Sequence, residues 1–300
     1  MQQILAGSSP LSRLFYLFLF AFLGLFVASG LSIGVSRIFN LSGADAGVLY
    51  VTLFLQSAGM FLLPAYTVAA WSSREPLRYL KLQKTDGAER GFLLAVMVYV
   101  LSYAFVAFLT RWNQGITLPE SMHGIEQYMR AMEDSAMETT DRLLSGQTIG
   151  TFLLNFLIMA VLAAVAEELF FRGALQQFIE EWAGNGHVAV WVSAFIFSAL
   201  HMQFYGFFPR LALGVLLGYL FFYTRNLWVP IIMHLFNNGV IVIVYFLRKE
   251  DDWTANLDDM PLSLTFGVGA VLSVFFTVWA FRWYLSGKRR KGSSEEADPS

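Results

Sequence analysis

Long apolar runs with almost no charge dominate this chain, and runs of that length have few ways to fold. A segment crossing roughly 30 Å of hydrocarbon must satisfy its backbone internally, so it is a helix of about 20 residues or a strand of a closed barrel. Such runs lie at about 14–36, 47–71, 91–110, 149–171, 187–203, 210–224, 227–247 and 262–285. Stretches such as Leu14 to Phe26 lack the polar/apolar alternation of barrel strands. Charged residues make up 14% of the 300, against about 25% in ordinary soluble domains. Mean hydropathy is +0.55. The expected fold class is an all-α integral membrane protein, a polytopic bundle of about eight transmembrane helices. One membrane-embedded domain is expected over 1–291, with 292–300 a disordered cytoplasmic tail. The first run is longer than a signal-peptide core and has no convincing small-residue cleavage site, so it reads as a retained helix.

Loop charges set the orientation. The loop 72–90 carries Arg74, Arg78, Lys81, Lys84 and Arg90 against three acids, and the end of the chain carries Lys288, Arg289, Arg290 and Lys291. Both are expected in the cytoplasm. The loop 112–148 has six acids against Arg130 and Arg142, and 248–261 has five against Arg248 and Lys249. Both are expected on the other side. Eight spans with both termini cytoplasmic satisfy all four assignments, in what reads as a prokaryotic plasma membrane. Within 112–148, Met122, Ile125, Met129, Met132 and Met137 recur at helical spacing. They predict an amphipathic helix, either lying on the bilayer or covering a route for substrate. Partners are expected to be lipid and a membrane-associated peptide or protein. No concentrated basic face points to nucleic acid. Cysteine is absent, which excludes disulfides, thiolate nucleophiles and cysteine metal sites.

Three polar clusters interrupt the later runs: Glu167-Glu168-x-x-x-Arg172, Phe197-x-x-x-His201 and His234-x-x-x-Asn238. Ionisable groups at membrane depth are expensive and mark function or specific pairing. Spacing of four lets Glu168 pair with Arg172 on one helix face, while Glu167 points about 100° away. Glu167 is then the carboxylate free to act as general base. His234 and Asn238 share a face and can direct two donors at one developing oxyanion. His201, one turn after Phe197, can orient a water. Blander readings stand beside these: acids and arginine snorkelling to the interface, His201 as an interfacial or core residue, and His234/Asn238 as hydrogen-bonded glue between helices. His123 and His187 have no comparable neighbours. No G-x-S-x-G elbow, membrane aspartate pair, P-loop or dinucleotide fingerprint occurs. No cofactor is expected. Zinc held by Glu167, His201 and His234 is the minority alternative, without an H-E-x-x-H signature.

In order and spacing the three clusters resemble the CPBP family of intramembrane proteases, also called the Abi or CAAX prenyl protease 2 family. The resembling core covers about 149–247, with motifs from 166 to 238. The resemblance implies an α-helical core of about eight spans and a glutamate-based endopeptidase. The residues matching Glu167 and His201 would activate water, and those matching His234 and Asn238 would stabilise the oxyanion. Glu168, Arg172 and Phe197 would support the site. Family members have also carried a metalloprotease label. Many bacterial members process peptides that are not prenylated or are linked to bacteriocin immunity, so a non-enzymatic scaffold is one alternative. A proton-coupled transporter using the glutamates is another.

One depth does not fit this scheme. A helix starting near Gly186 carries His201 about 22 Å from its start, whereas Glu167 closes a run ending near 171. A short, tilted helix packed inside the bundle would bring the two level. Because the chain is cysteine-free, single cysteines introduced in 72–90 and in 112–148 should react with a membrane-impermeant maleimide from opposite faces of sealed vesicles. Labelling from one face would overturn the orientation.

Overall fold

A computed structural model describes residues 3–43, 45–83, 88–247 and 262–296. Among these there is no strand. The long elements are α1 (Pro10–Ile38), α2 (Ala46–Ser72), α4 (Ala88–Gln114), α5 (His123–Leu144), α6 (Ile149–Ala183), α7 (Gly186–Ala199), α8 (Phe207–Thr224), α9 (Trp228–Leu247) and α10 (Leu264–Glu296). A single turn, α3 (Pro76–Tyr79), follows α2. The acidic loop 248–261, with Arg248 and Lys249, lies outside the described residues, as does Lys84. Of the expected tail 292–300, residues to Glu296 belong to the last helix, and 297–300 lie outside the described residues.

Among the described residues, seven helices are long and apolar enough to cross a membrane. The eighth expected span, 187–203, is instead the 14-residue α7, about 21 Å long and short of the hydrocarbon thickness. It forms an antiparallel hairpin with α8. His187 Nδ1 meets the Tyr219 hydroxyl at 3.1 Å near one end, and Ser198 donates to the Phe207 carbonyl at 2.6 Å at the other. Small residues bring the two backbones together: a Cβ on Gly214 would lie 3.1 Å from that of Ala194. Such close approach is what small residues supply between apolar helices. A hairpin returns the chain to the side it left, so the relative sidedness of the two termini does not depend on whether α7 crosses completely.

The run expected to end near 171 extends to Ala183, making α6 35 residues long. Gly184 closes it in the left-handed conformation, φ 63°, which glycine adopts without strain. Asn185 then starts α7, its side chain accepting the His187 and Val188 amides. Glu168 lies about 24 Å before this turn and His201 about 22 Å after it. The antiparallel pair therefore brings them level, which removes the depth mismatch read from sequence.

Large side chains turn outward around the bundle; Phe22 and Phe26 of α1 are 65% and 74% exposed, as a lipid-facing surface requires. The interior holds two buried clusters. One joins α1, α2, α6, α7, α8 and the start of α9 around Phe170, Phe171, Phe178 and Phe197. The other joins α4, α8, α9 and α10 around Leu94, Val98, Leu217 and Met233. The amphipathic segment forms α5. Rather than standing apart on a bilayer surface, it is tied to the bundle at its middle and at its C-terminal end. Glu133 accepts the Tyr205 amide at 3.2 Å, and Leu143 accepts from Asn155 at 2.9 Å. At its start the Leu118 amide and the Arg130 guanidinium hold the Glu126 carboxyl below its ordinary range.

The closest crossing is between α1 and α2, where a Cβ on Gly24 would fall 1.8 Å from the Gly59 carbonyl oxygen. Gly24→Ala should force the helices apart and cost about 1–3 kcal/mol, the usual range for overpacking. A lowered unfolding midpoint of the detergent-solubilised protein checks this; an unchanged midpoint contradicts it.

Candidate active site

The site is built on α6. Two stretches of wider π-helical turn, Phe156–Leu162 and Leu169–Gln176, bracket the α-helical segment Ala163–Glu168 that ends in the two glutamates. Wide turns of this kind recur at functional sites because they re-aim neighbouring side chains. Every residue from Leu169 to Gln176 is buried.

Glu168 and Arg172 form the pair that the spacing predicts. Both are fully buried, and Arg172 Nη1 donates to Glu168 Oε1 at 2.6 Å. Arg172 Nη2 donates to the Gly214 carbonyl at 2.9 Å, fastening α6 to α8. Its guanidinium carbon lies 4.9 Å from the centre of the Phe197 ring. One turn on, Gln176 repeats the tie to α8 by donating to the Gly218 carbonyl. His234 enters from α9, and its Nδ1 lies 2.8 Å from the same Glu168 Oε1. A carboxylate cannot donate, so His234 carries the Nδ1 proton in this contact. The sequence reading gave Glu168 one partner; it has two.

Glu167 points to a different side, as expected for adjacent helical positions. Its Oε2 is 3.9 Å from His234 Nε2, too long for a hydrogen bond. Its side chain is 15% exposed where that of Glu168 is 0%. Glu167 is thus the carboxylate of the pair that another molecule can reach.

His201 follows α7 in a turn closed by Met202 at φ 55°. Its Nδ1 donates to the Phe197 carbonyl at 2.8 Å, which leaves the Nε2 lone pair available. The Phe197 ring joins the two histidines, centred 5.0 Å from His201 and 6.0 Å from His234. Phe197, expected only as support, therefore touches Arg172, His201 and His234 together.

Asn238 is one turn beyond His234, but the two donors do not share a target. Asn238 Nδ2 donates to the Met159 carbonyl of α6 at 3.2 Å, and its Oδ1 accepts from Asn237. As for zinc, Glu167, His201 and His234 are not gathered as a ligand set. Among the described residues no three His, Asp or Glu side chains group closely enough to hold an ion. Sequence reasoning missed Arg210, a charged residue inside the apolar run of α8. The depth argument that singled out Glu167 would have found it.

Comparison with known proteins bears on this same segment. Residues 149–240 match the family described as type II CAAX prenyl endopeptidase Rce1-like. The segment is similar to that family over these residues. The matched residues run from the start of α6 to the middle of α9, and so contain all three clusters. An uncharacterized protein, YpbD, of Bacillus subtilis (strain 168) is 32% identical over 90 residues, covering 29% of this chain and 43% of the relative. The chain thus spans less than half the length of the curated relative it matches. No solved structure matches.

Breaking one side of the buried ion pair leaves a charge without its partner, which costs about 3–5 kcal/mol. Arg172→Met should therefore destabilise the protein by roughly that amount. Thermal unfolding in detergent measures it; a wild-type midpoint would show that the Rce1-like core does not depend on the pair.

Proposed function

We propose that this protein is an intramembrane endopeptidase hydrolysing a peptide bond of a membrane-associated peptide or protein. One observation carries the reading. Of two adjacent carboxylates, Glu168 is bound by Arg172 and His234, while Glu167 is partly exposed and lies beyond hydrogen-bond reach of His234. Amide hydrolysis asks for that asymmetry: one fixed acid that orders the site and one reachable carboxylate that takes a proton from water. The Rce1-like character of 149–240 supports the same class.

In this reading Glu167 removes a proton from the attacking water and later returns it to the leaving amine. His201 presents the Nε2 lone pair, because Nδ1 is engaged by the Phe197 carbonyl, and orients that water. His234 is steered by Glu168 so that Nε2 faces Glu167. Asn238 uses one amide N–H on Met159, and its second N–H remains for an oxygen of the substrate. The likeness to a CAAX prenyl endopeptidase family makes prenylated substrates with CAAX ends the first to try.

Purified protein carrying Glu167→Gln should elute and unfold like wild type but cleave a farnesylated CAAX-ended fluorogenic peptide at least about 10²-fold more slowly, the usual minimum for a general base. His201→Ala should lose activity with the same fold. Cleavage by Glu167→Gln at the wild-type rate would overturn the assignment.

A further inference from the structure

Arg210 lies in the first turn of α8, within an apolar helix. Arg172 uses both terminal nitrogens, one on Glu168 and one on the Gly214 carbonyl. Arg210 does not. Its Nη2 donates to Gln203 Oε1 at 2.6 Å, while its Nη1 is withdrawn from water and has no hydrogen-bond partner. The group packs against Gly206: a Cβ there would come within 3.0 Å of Nη2 and 3.3 Å of Nη1. The missing side chain thus leaves the guanidinium its room. Its partner Gln203 lies two residues after His201, so the guanidinium is tied to the turn that carries a histidine of the site. A buried N–H donor left unpaired is costly, and this one sits beside that turn. The donors expected for a developing negative charge are meanwhile engaged, His234 Nδ1 by Glu168 and one Asn238 N–H by Met159.

We propose that Arg210 is the receptor for an anionic oxygen of the substrate, offering Nη1 as the donor. The inference rests on the endopeptidase reading. A peptide supplies such an oxygen from two sources, a C-terminal carboxylate near the scissile bond or the carbonyl oxygen itself. In the second case water attacks the carbonyl carbon, its proton passes to Glu167, and the carbonyl π electrons move onto the oxygen that Arg210 holds. Collapse then breaks the C–N bond, and Glu167 protonates the amine. In the first case Arg210 sets how far from the chain end the bond is cut, and takes no part in the charge shift. A guanidinium serves both, because it stays protonated throughout and its N–H groups are fixed in one plane.

The test uses full-length protein in detergent and two farnesylated fluorogenic peptides alike except at the C-terminus, one a free acid and the other an amide. Binding is read by fluorescence anisotropy in a Glu167→Gln background, and turnover in the otherwise wild-type protein. A carboxylate source predicts that Arg210→Gln weakens binding of the acid peptide about tenfold or more and leaves the amide peptide within about twofold. An oxyanion source predicts unchanged binding of both and kcat lowered about 10²-fold or more on each. Arg210→Lys should retain the fold and recover part of the affected quantity. Wild-type binding and turnover in Arg210→Gln overturn the proposal, and so does loss of fold in both Arg210 variants, which would make the residue structural. If wild-type protein cleaves neither peptide, the endopeptidase reading fails on these substrates and the oxyanion role with it; weaker binding of the acid peptide by Arg210→Gln then supports the carboxylate role, and unchanged binding overturns the proposal.

Discussion

The buried contact between Arg172 and Glu168 organises everything around the site. Two opposite charges without water are stable only where geometry is good and the remaining donors are used. Arg172 meets it through both terminal nitrogens, leaving its Nε and Glu168 Oε2 unpaired; beyond the glutamate it reaches the Gly214 carbonyl and lies beside Phe197. Those two contacts determine where α8 and α7 sit relative to α6. Glu168, held in turn, orients the imidazole of His234 from α9. Four helices are thereby referred to one ion pair, and Glu167 is set apart from it by nothing more than the angular step between neighbouring helical residues.

Much of this was legible in the residues. The spacing of four between Glu168 and Arg172 gave their pairing, and the distinction between Glu167 and Glu168 followed from helix geometry alone. Apolar run length gave the helices, because the hydrocarbon thickness sets their size. What was not legible depended on partners distant in sequence. The second partner of Glu168 comes from another helix, and spacing within a motif carries no trace of it. The full length of α6 was missed because Gln176, Gln177, Glu180 and Glu181 read as a loop in hydropathy, while the helix continues through them to Gly184. The alternative targets of His234 and Asn238 were invisible for the same reason: shared face does not mean shared acceptor.

The expected span at 187–203 is a shorter helix than its hydropathy suggested. Length and hydropathy suggested a crossing near 187–203, and the helix there is too short to make one unaided. Pairing with α8 compensates, since the glycines of α8 let the short helix sit deep against its neighbour. The same shortness is what ends α7 next to the site and puts His201 in the turn rather than on a helix face. A full-length span would carry the chain past the glutamates before it could turn.

Below Glu167, α6 is enclosed on every side from Leu169 to Gln176, whereas above it Leu153 and Leu157 are 58% and 57% exposed. One helix is thus a fixed post over half its length and a shoreline over the other half, with the reachable glutamate at the boundary. A post gripped all round cannot step aside. Any opening beside Glu167 must come from what faces the post, α9 or the turn after α7.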